Sequence, residues 1–243
     1  MGISRTDIGA TILSIAATLV AWEALTRPMD PAFTSIVDLL GTAERSGQVP
    51  TLGRVLREIQ IATIDKLPPD KLLFLNVHPF EFLEQGGIEA EPALQPWTKR
   101  IVLELTEAAE LSNFARARER VAALRAAGFR IAVDDLGSGY SSLNHLALLE
   151  PDFVKVDMAM IRGIEEGSRA ARLIKHILEY CRGEGMRAVC EGIETREELR
   201  VVAALGVSLV QGYLLARPGP AFPKAARELE LNPAPPTGLK RRG

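Results

Sequence analysis

Only two cysteines, Cys181 and Cys190, and three histidines, His78, His145 and His176, occur in the 243 residues. Two cysteines cannot make a disulfide scaffold, and a reduced state in the cytoplasm is the default expectation. Three scattered histidines argue against a histidine-rich metal site. A dominant charge of one sign is also missing, with 29 Lys+Arg against 31 Asp+Glu and a net charge of −2. That balance leaves no electrostatic footprint for duplex nucleic acid. The uncharged stretch Ile8–Trp22 (IGATILSIAATLVAW) has 15 residues, short of the roughly 20 that span a bilayer. Arg5 in its flank is offset by Asp7, unlike the basic start of a signal peptide. It reads as one or two buried strands, with no membrane span. What is present is ordinary for a soluble globular chain, 47% hydrophobic and 25% charged, which argues against disorder and coiled coil. The length allows one large domain, since α/β barrels reach ~250 residues, or two small ones.

Short apolar runs alternate with helical patterns along the chain. The runs are Thr18–Ala24, Leu72–Val77, Ile101–Leu105, Ile131–Val133, Phe153–Val156, Arg187–Cys190 and Ser208–Leu215. Runs of this length without clean alternation suit parallel strands buried on both faces. Between them, Leu52, Val55, Leu56 and Ile59 share one helical face, as do Phe114, Ala117, Val121 and Leu124, and Ala170, Leu173, Ile174, Ile177, Leu178 and Cys181. Gly128 and Gly183 follow two of these as stop signals. Repeated β–α alternation predicts an α/β class with a parallel sheet. The N-terminal apolar stretch has room for an eighth strand, and eight such units in this length point to a TIM-like (β/α)8 barrel. A doubly wound sheet is the alternative, but its GxGxxG turn is absent. Residues 1–231 are expected to form the barrel. The Pro-rich tail 232–243, ending in Lys240, Arg241 and Arg242, reads as disordered or a linker.

Polar residues interrupt the runs at one end. Glu23 falls near the end of the first, Asn76 near the end of LLFLNV and Glu104 near the end of IVLEL. Asp134 and Asp135 close IAVDD, Lys155 lies in FVKVD, Glu191 follows AVC and Gln211 falls in LVQGY. In a parallel barrel those C-terminal ends share the face on which active sites assemble. One charge in a buried strand is most simply a satisfied structural group. Successive strands all placing one at the same rim require another explanation.

The residue types define the chemistry. Carboxylates with an Asn and a Gln make a hard oxygen-ligand site, suited to Mg²⁺ or Mn²⁺ and not to zinc or copper. Adjacent Asp134 and Asp135 can bridge two ions, and two ions roughly 3.5–4 Å apart clamp a phosphodiester for in-line attack. An ammonium such as Lys155 amid carboxylates stays charged and can orient the attacking water. No Ser-His-Asp set has supporting context, and Cys190, next to Glu191, is a poor thiolate. The stretch Leu136-Gly137-Ser138-Gly139-Tyr140-Ser141-Ser142 reads either as a mobile rim loop or as a plain βα turn.

Together the motifs are Glu23-Ala24-Leu25-Thr26-Arg27, LFLNVHP around Asn76, LELTE at 103–107, AVDDLGSGYSSL at 132–143, FVKVD at 153–157, EGIET at 191–195 and QGYLLARP at 211–218. With these, the chain resembles the EAL-domain phosphodiesterases of bacterial cyclic-di-GMP signalling over about residues 18–220. The resemblance implies a (β/α)8 barrel, often with one antiparallel strand near the start, and Mg²⁺- or Mn²⁺-dependent hydrolysis of one phosphodiester bond of cyclic-di-GMP to linear pGpG. It assigns Glu23, Asn76, Glu104, Asp134 and Asp135 to the metal site. Lys155 looks like the residue that positions the nucleophilic water, and Glu191 like a general base or a metal-linked carboxylate. Glu107 looks like the anchor of the Asp135–Tyr140 loop, and Gln211 completes the catalytic set. Arg27, Leu25, Asp135 and Glu194 fall to substrate binding, Arg27 through a ligand phosphate. A homodimer through the face near the Asp135–Tyr140 loop is also implied.

Three departures stand out. The family's Gln-Pro segment is not matched near Ala10-Thr11-Ile12, Leu136 stands where Phe is usual, and Ser138 where Thr is usual. Residues 1–17 are therefore expected to be a diverged or truncated start, and the weak part of the fold. Three functions follow from the whole reading: the phosphodiesterase, a cyclic-di-GMP receptor or interaction module without turnover, and a metal-dependent barrel acting on another phosphodiester.

Overall fold

The structure, a computed structural model, describes residues 21–23, 36–84, 87–106, 114–137 and 142–217. Seven strands lie in them: β1 (Ala21–Glu23), β2 (Leu72–Val77), β3 (Ile101–Thr106), β4 (Arg130–Leu136), β5 (Phe153–Val156), β6 (Arg187–Cys190) and β7 (Leu209–Val210). They form one sheet in chain order, and every adjacent pair is parallel. The connecting helices are α1 (Ile36–Arg45), α2 (Val49–Ile61), α3 (Pro79–Phe82), α4 (Phe114–Ala126), α5 (Ser142–Leu149), α6 (Met158–Ile161), α7 (Arg169–Gly183) and α8 (Arg196–Ala204). This is a TIM-like β/α barrel, with seven of the strands of the class among the described residues. The expected eighth strand, the start at 1–17 expected to be weak, and the expected tail 232–243 lie outside the described residues. No described helix is long and apolar enough to cross a membrane.

Side chains at paired positions of parallel strands point to the same side, so register sorts each strand into two rows. One row, Phe74, Val102, Ala132, Phe153, Val189 and Leu209, packs as a cluster of its own. The alternate row, including Leu73, Leu75, Ile101, Leu103, Ile131, Val133 and Val154, packs with the helices in a second, larger cluster. The first row is the barrel interior and the second the layer between sheet and helices. Phe74 and Phe153 meet edge to face, with ring centroids 5.2 Å apart at 70°. They come from β2 and β5, which are not neighbours in the sheet, so the sheet curls around them. The interior row continues one pleat toward the strand ends as Asn76, Glu104, Asp134, Lys155, Glu191 and Gln211.

The runs Leu72–Val77, Phe153–Val156 and Arg187–Cys190 coincide with strands, Ile101–Leu105 and Ile131–Val133 lie inside longer ones, Thr18–Ala24 is described only at Ala21–Glu23, and only Leu209–Val210 of Ser208–Leu215 is strand. The chain then turns at Gly212, where an added Cβ would lie 2.1 Å from the Ile193 oxygen. Backbone packs there against backbone, leaving no room for a side chain. Ala117, Val121 and Leu124 are buried on α4 as expected. In α7 the buried face is Ala171, Ile174, Ile177, Leu178 and Cys181, while Leu173 is 54% exposed. In α2 the face is turned: Val49, Arg57 and Ile61 are buried, and Val55 and Ile59 are exposed. The cause is Arg57, whose guanidinium pairs with Glu81 at 2.8 Å and with Glu91. A buried, doubly paired arginine fixes the helix rotation against apolar periodicity.

Candidate active site

The sheet delivers the interior polar row to one mouth. Lys155, on β5, is 2% exposed. Its Nζ lies 2.8 Å from Glu104 Oε1 on β3, 2.9 Å from Asp134 Oδ1 on β4 and 2.8 Å from Glu191 Oε1 just past β6. Glu104 is fully buried and Asp134 is 7% exposed. Ionised groups so deep require partners, and here each partner is another strand's contribution.

Asp134, Asp135 and Glu191 each offer a ligand atom, and these atoms lie within 4.8 Å of one another. Formally, four carboxylates (Glu104, Asp134, Asp135 and Glu191) share this mouth with the Lys155 ammonium. The donor set is hard oxygen with excess negative charge, which fits a divalent cation such as Mg²⁺ or Mn²⁺. Asp134 Oδ1 also accepts the Asp135 N–H at 3.0 Å.

Asp135 has φ 58°, a left-handed conformation that Asp and Asn tolerate better than other side chains. The register between β4 and β5 shifts between Val133 and Leu136. Asp134 and Asp135 therefore stand opposite the single residue Lys155, as in a β-bulge.

The other expected site residues distribute as follows. Asn76 sits on β2 with its side chain exposed, in register with Glu104. The Gln211 N–H donates to the Cys190 carbonyl at 2.8 Å, and its own carbonyl accepts from Ile193 at 3.0 Å. Glu23 closes β1, in register with Phe74. Glu194 lies in the loop after β6, where Arg162 donates to its Oε1 at 2.8 Å and pairs with its Oε2. The Arg162 hydrogen bond holds the Glu194 carboxyl below the usual carboxylate range. Leu25, Arg27 and Glu107 lie outside the described residues.

Sequence reasoning missed two residues that hold this rim. Glu198, at the start of α8, is buried. Its Oε2 accepts the N–H groups of Glu194 at 2.9 Å and Thr195 at 3.0 Å, and its Oε1 accepts that of Gly163 at 3.0 Å. It thus ties the loop after β6 to the one after β5. Thr195 answers by accepting the Glu198 N–H at 3.1 Å. The signal was legible: Thr195 and Glu198 have the capping-box spacing. Arg162 carried no such signal. Gly192, in the same loop, has φ 67°, and a Cβ there would lie 2.3 Å from that of Met158.

Burial pushes the Cys190 thiol up to about 12, helped by Glu191 beside it, and burial pushes Cys181 up to about 11. Neither is a nucleophile. A separate cavity of about 300 Å³ lies away from the mouth, lined by Pro50, Arg54, Arg57, Glu81 and Glu91 among others. Its buried guanidinium is engaged by the two glutamates through Nε and Nη2, while Nη1 is buried without a hydrogen-bond partner among the described residues.

A β/α barrel whose mouth gathers these carboxylates around one lysine defines a class of metal-compatible barrels. Residues 12–218 match the EAL domain family, and the chain belongs to that family. It is similar to the cyclic di-GMP phosphodiesterase PdeB of Shewanella oneidensis, 32% identical over 207 residues, which are 82% of this chain and 24% of that protein. Among solved structures it is similar to the PaMucR phosphodiesterase in complex with c-di-GMP, at 27% identity and TM-score 0.72, covering 82% of this chain and 85% of that one. It is also similar to the manganese/cy-diGMP complex of Klebsiella pneumoniae BlrP1, at 28% identity and TM-score 0.71, covering 81% of this chain and 51% of that one. The chain spans a quarter or less of the length of the first curated relatives it matches.

Proposed function

We propose that this chain hydrolyses one phosphodiester bond of cyclic-di-GMP to linear pGpG, using Mg²⁺ or Mn²⁺, in a two-ion site. The observation that carries the reading is Lys155 bound to three carboxylates beside the Asp134–Asp135–Glu191 donor group. The family match and the phosphodiesterase relatives support it.

In this reading Asp134, Asp135 and Glu191 would hold the cation, with Glu23, Asn76 and Glu104 as further metal-site residues. A bound divalent ion supplies Lewis acidity and lowers the pKa of water. Lys155, fixed by its three partners, orients the attacking water and counters charge developing on the phosphoryl oxygens. Glu191, one bond from Lys155, takes the water's proton or stays with the metal. Gln211 and Glu107 complete the catalytic set. Arg27, Leu25, Asp135 and Glu194 orient the ligand, and Arg162 and Glu198 keep Glu194 in place.

Residues 1–231 as the barrel and 232–243 as a tail belong to the same proposal, supported in part by the match over 12–218. So do a cytoplasmic location, with which two free buried cysteines accord, and a homodimer, which sedimentation of the purified chain tests. The reaction is tested by incubating the protein with cyclic-di-GMP and either metal and separating the products by chromatography. Accumulation of pGpG that stops on chelation supports the proposal. Ligand binding without turnover would make the chain a receptor.

A further inference from the structure

We infer that Lys155 and the divalent cation compete for Asp134 and Glu191, so that Lys155 sets how tightly the cation binds; this rests on the divalent reading just proposed. Lys155 Nζ lies within 2.9 Å of three carboxylates from three different strands or strand ends. Two of those, Asp134 and Glu191, are also two of the three groups whose oxygens converge within 4.8 Å as a possible metal site. The third, Glu104, is fully buried and outside that group. The lysine therefore binds one buried carboxylate outside the converging group and two within it.

Two consequences follow from charge alone. Without a divalent ion the ammonium is the cation that holds the crowded carboxylates together, so the site needs no metal to keep its shape. A divalent ion that binds Asp134 and Glu191 must share their charge with Lys155 and sit near a like charge, which weakens its binding. A neutral side chain at 155 reverses both effects. The metal-free protein loses stability, and the affinity for a divalent ion rises.

The experiment uses Mn²⁺ alone, without nucleotide, on the full chain and on Lys155→Met. Calorimetric titration gives the affinity, and thermal unfolding gives the midpoint with and without Mn²⁺. The expected result is Mn²⁺ binding tighter by about tenfold or more in the variant, a lower metal-free midpoint, and a larger rise in midpoint on adding Mn²⁺ than in wild type. Should Lys155→Met not fold without metal, Lys155→Gln, which keeps a polar hydrogen-bonding end but not the charge, takes its place in the same comparison. Equal or weaker Mn²⁺ binding in the variant, with wild type responding normally, overturns this inference and leaves the proposed function standing. No Mn²⁺ response in wild type overturns both.

Discussion

Asp134 and Lys155 meet at 2.9 Å at the point where strands β4 and β5 fall out of register. Val133 still pairs with Val154 and Leu136 pairs with Val156, so β4 carries one residue more than β5 between these pairs. On a regular strand, two successive aspartates point to opposite faces, one into the barrel and one into the layer under the helices. The extra residue and the left-handed Asp135 break that alternation. As a result Asp134 and Asp135 share one group with Glu191.

This geometry predicts different outcomes for two changes at 135. Asp135→Asn keeps a side chain that accepts the left-handed backbone, so stability in urea should change by less than ~0.5 kcal/mol, while Mn²⁺ affinity falls. Asp135→Val places a β-branched residue at φ 58° and should lose ~1–2 kcal/mol in the same measurement. Equal stability of the two variants would show that the bulge imposes no backbone demand.

The floor of the site is the Phe74–Phe153 contact. Phe74 is 2% exposed, and truncating it opens a cavity in the barrel interior. Phe74→Ala should lose about 3–5 kcal/mol in urea unfolding, and Phe74→Leu substantially less. Near-neutral behaviour of Phe74→Ala would contradict the assignment of that row to the interior.

Glu198 makes stability depend on acid. Burial raises its pKa, but the N–H groups of Glu194, Gly163 and Thr195 outweigh this and hold the carboxyl below its ordinary value. A depressed folded pKa means a contribution fully present above the unfolded value of about 4.3 and lost as pH falls through the folded one. Urea midpoints followed from about pH 7 to about pH 3 should fall on the acid side in wild type and fall less in Glu198→Gln. Thr195→Ala, which removes the reciprocal cap, should lose roughly 1 kcal/mol at neutral pH. Parallel pH profiles for wild type and Glu198→Gln would contradict the role given to Glu198.

Both thiols should be silent in the folded state. With Cys181 at about 11 and Cys190 at about 12, neither forms appreciable thiolate at about pH 8. A thiol-reactive dye should label neither until denaturant is added, and then both. Rapid labelling of native Cys190 would show that the interior beside Glu191 opens readily.

Most of the architecture was legible because apolar runs and their polar ends repeat in every unit. Glu104, Asp134, Lys155 and Glu191 could be picked out as charges interrupting buried strands, and the structure brings all four together. The faces of α2 and α7 were less legible. Periodicity puts Val55, Ile59 and Leu173 inside, but a buried ion pair at Arg57 sets the rotation of α2. The bulge was hidden as well, since Asp134-Asp135 in the sequence does not say whether both side chains reach one face. Arg162 acts through a partner 32 positions away, and no local pattern reports such a contact.

The most direct test of the central claim compares pGpG formation from cyclic-di-GMP by wild type and by Asp134→Asn, with Mg²⁺ or Mn²⁺ present. Asp134→Asn keeps the side-chain volume and leaves Lys155 with Glu104 and Glu191, so the fold should survive. Removing a ligand charge should lower turnover by two orders of magnitude or more, about 3 kcal/mol in barrier. Steady pGpG production by wild type, abolished by chelation and lost in the variant, is the predicted result. No pGpG from wild type with either metal, or undiminished turnover in Asp134→Asn, would contradict the account.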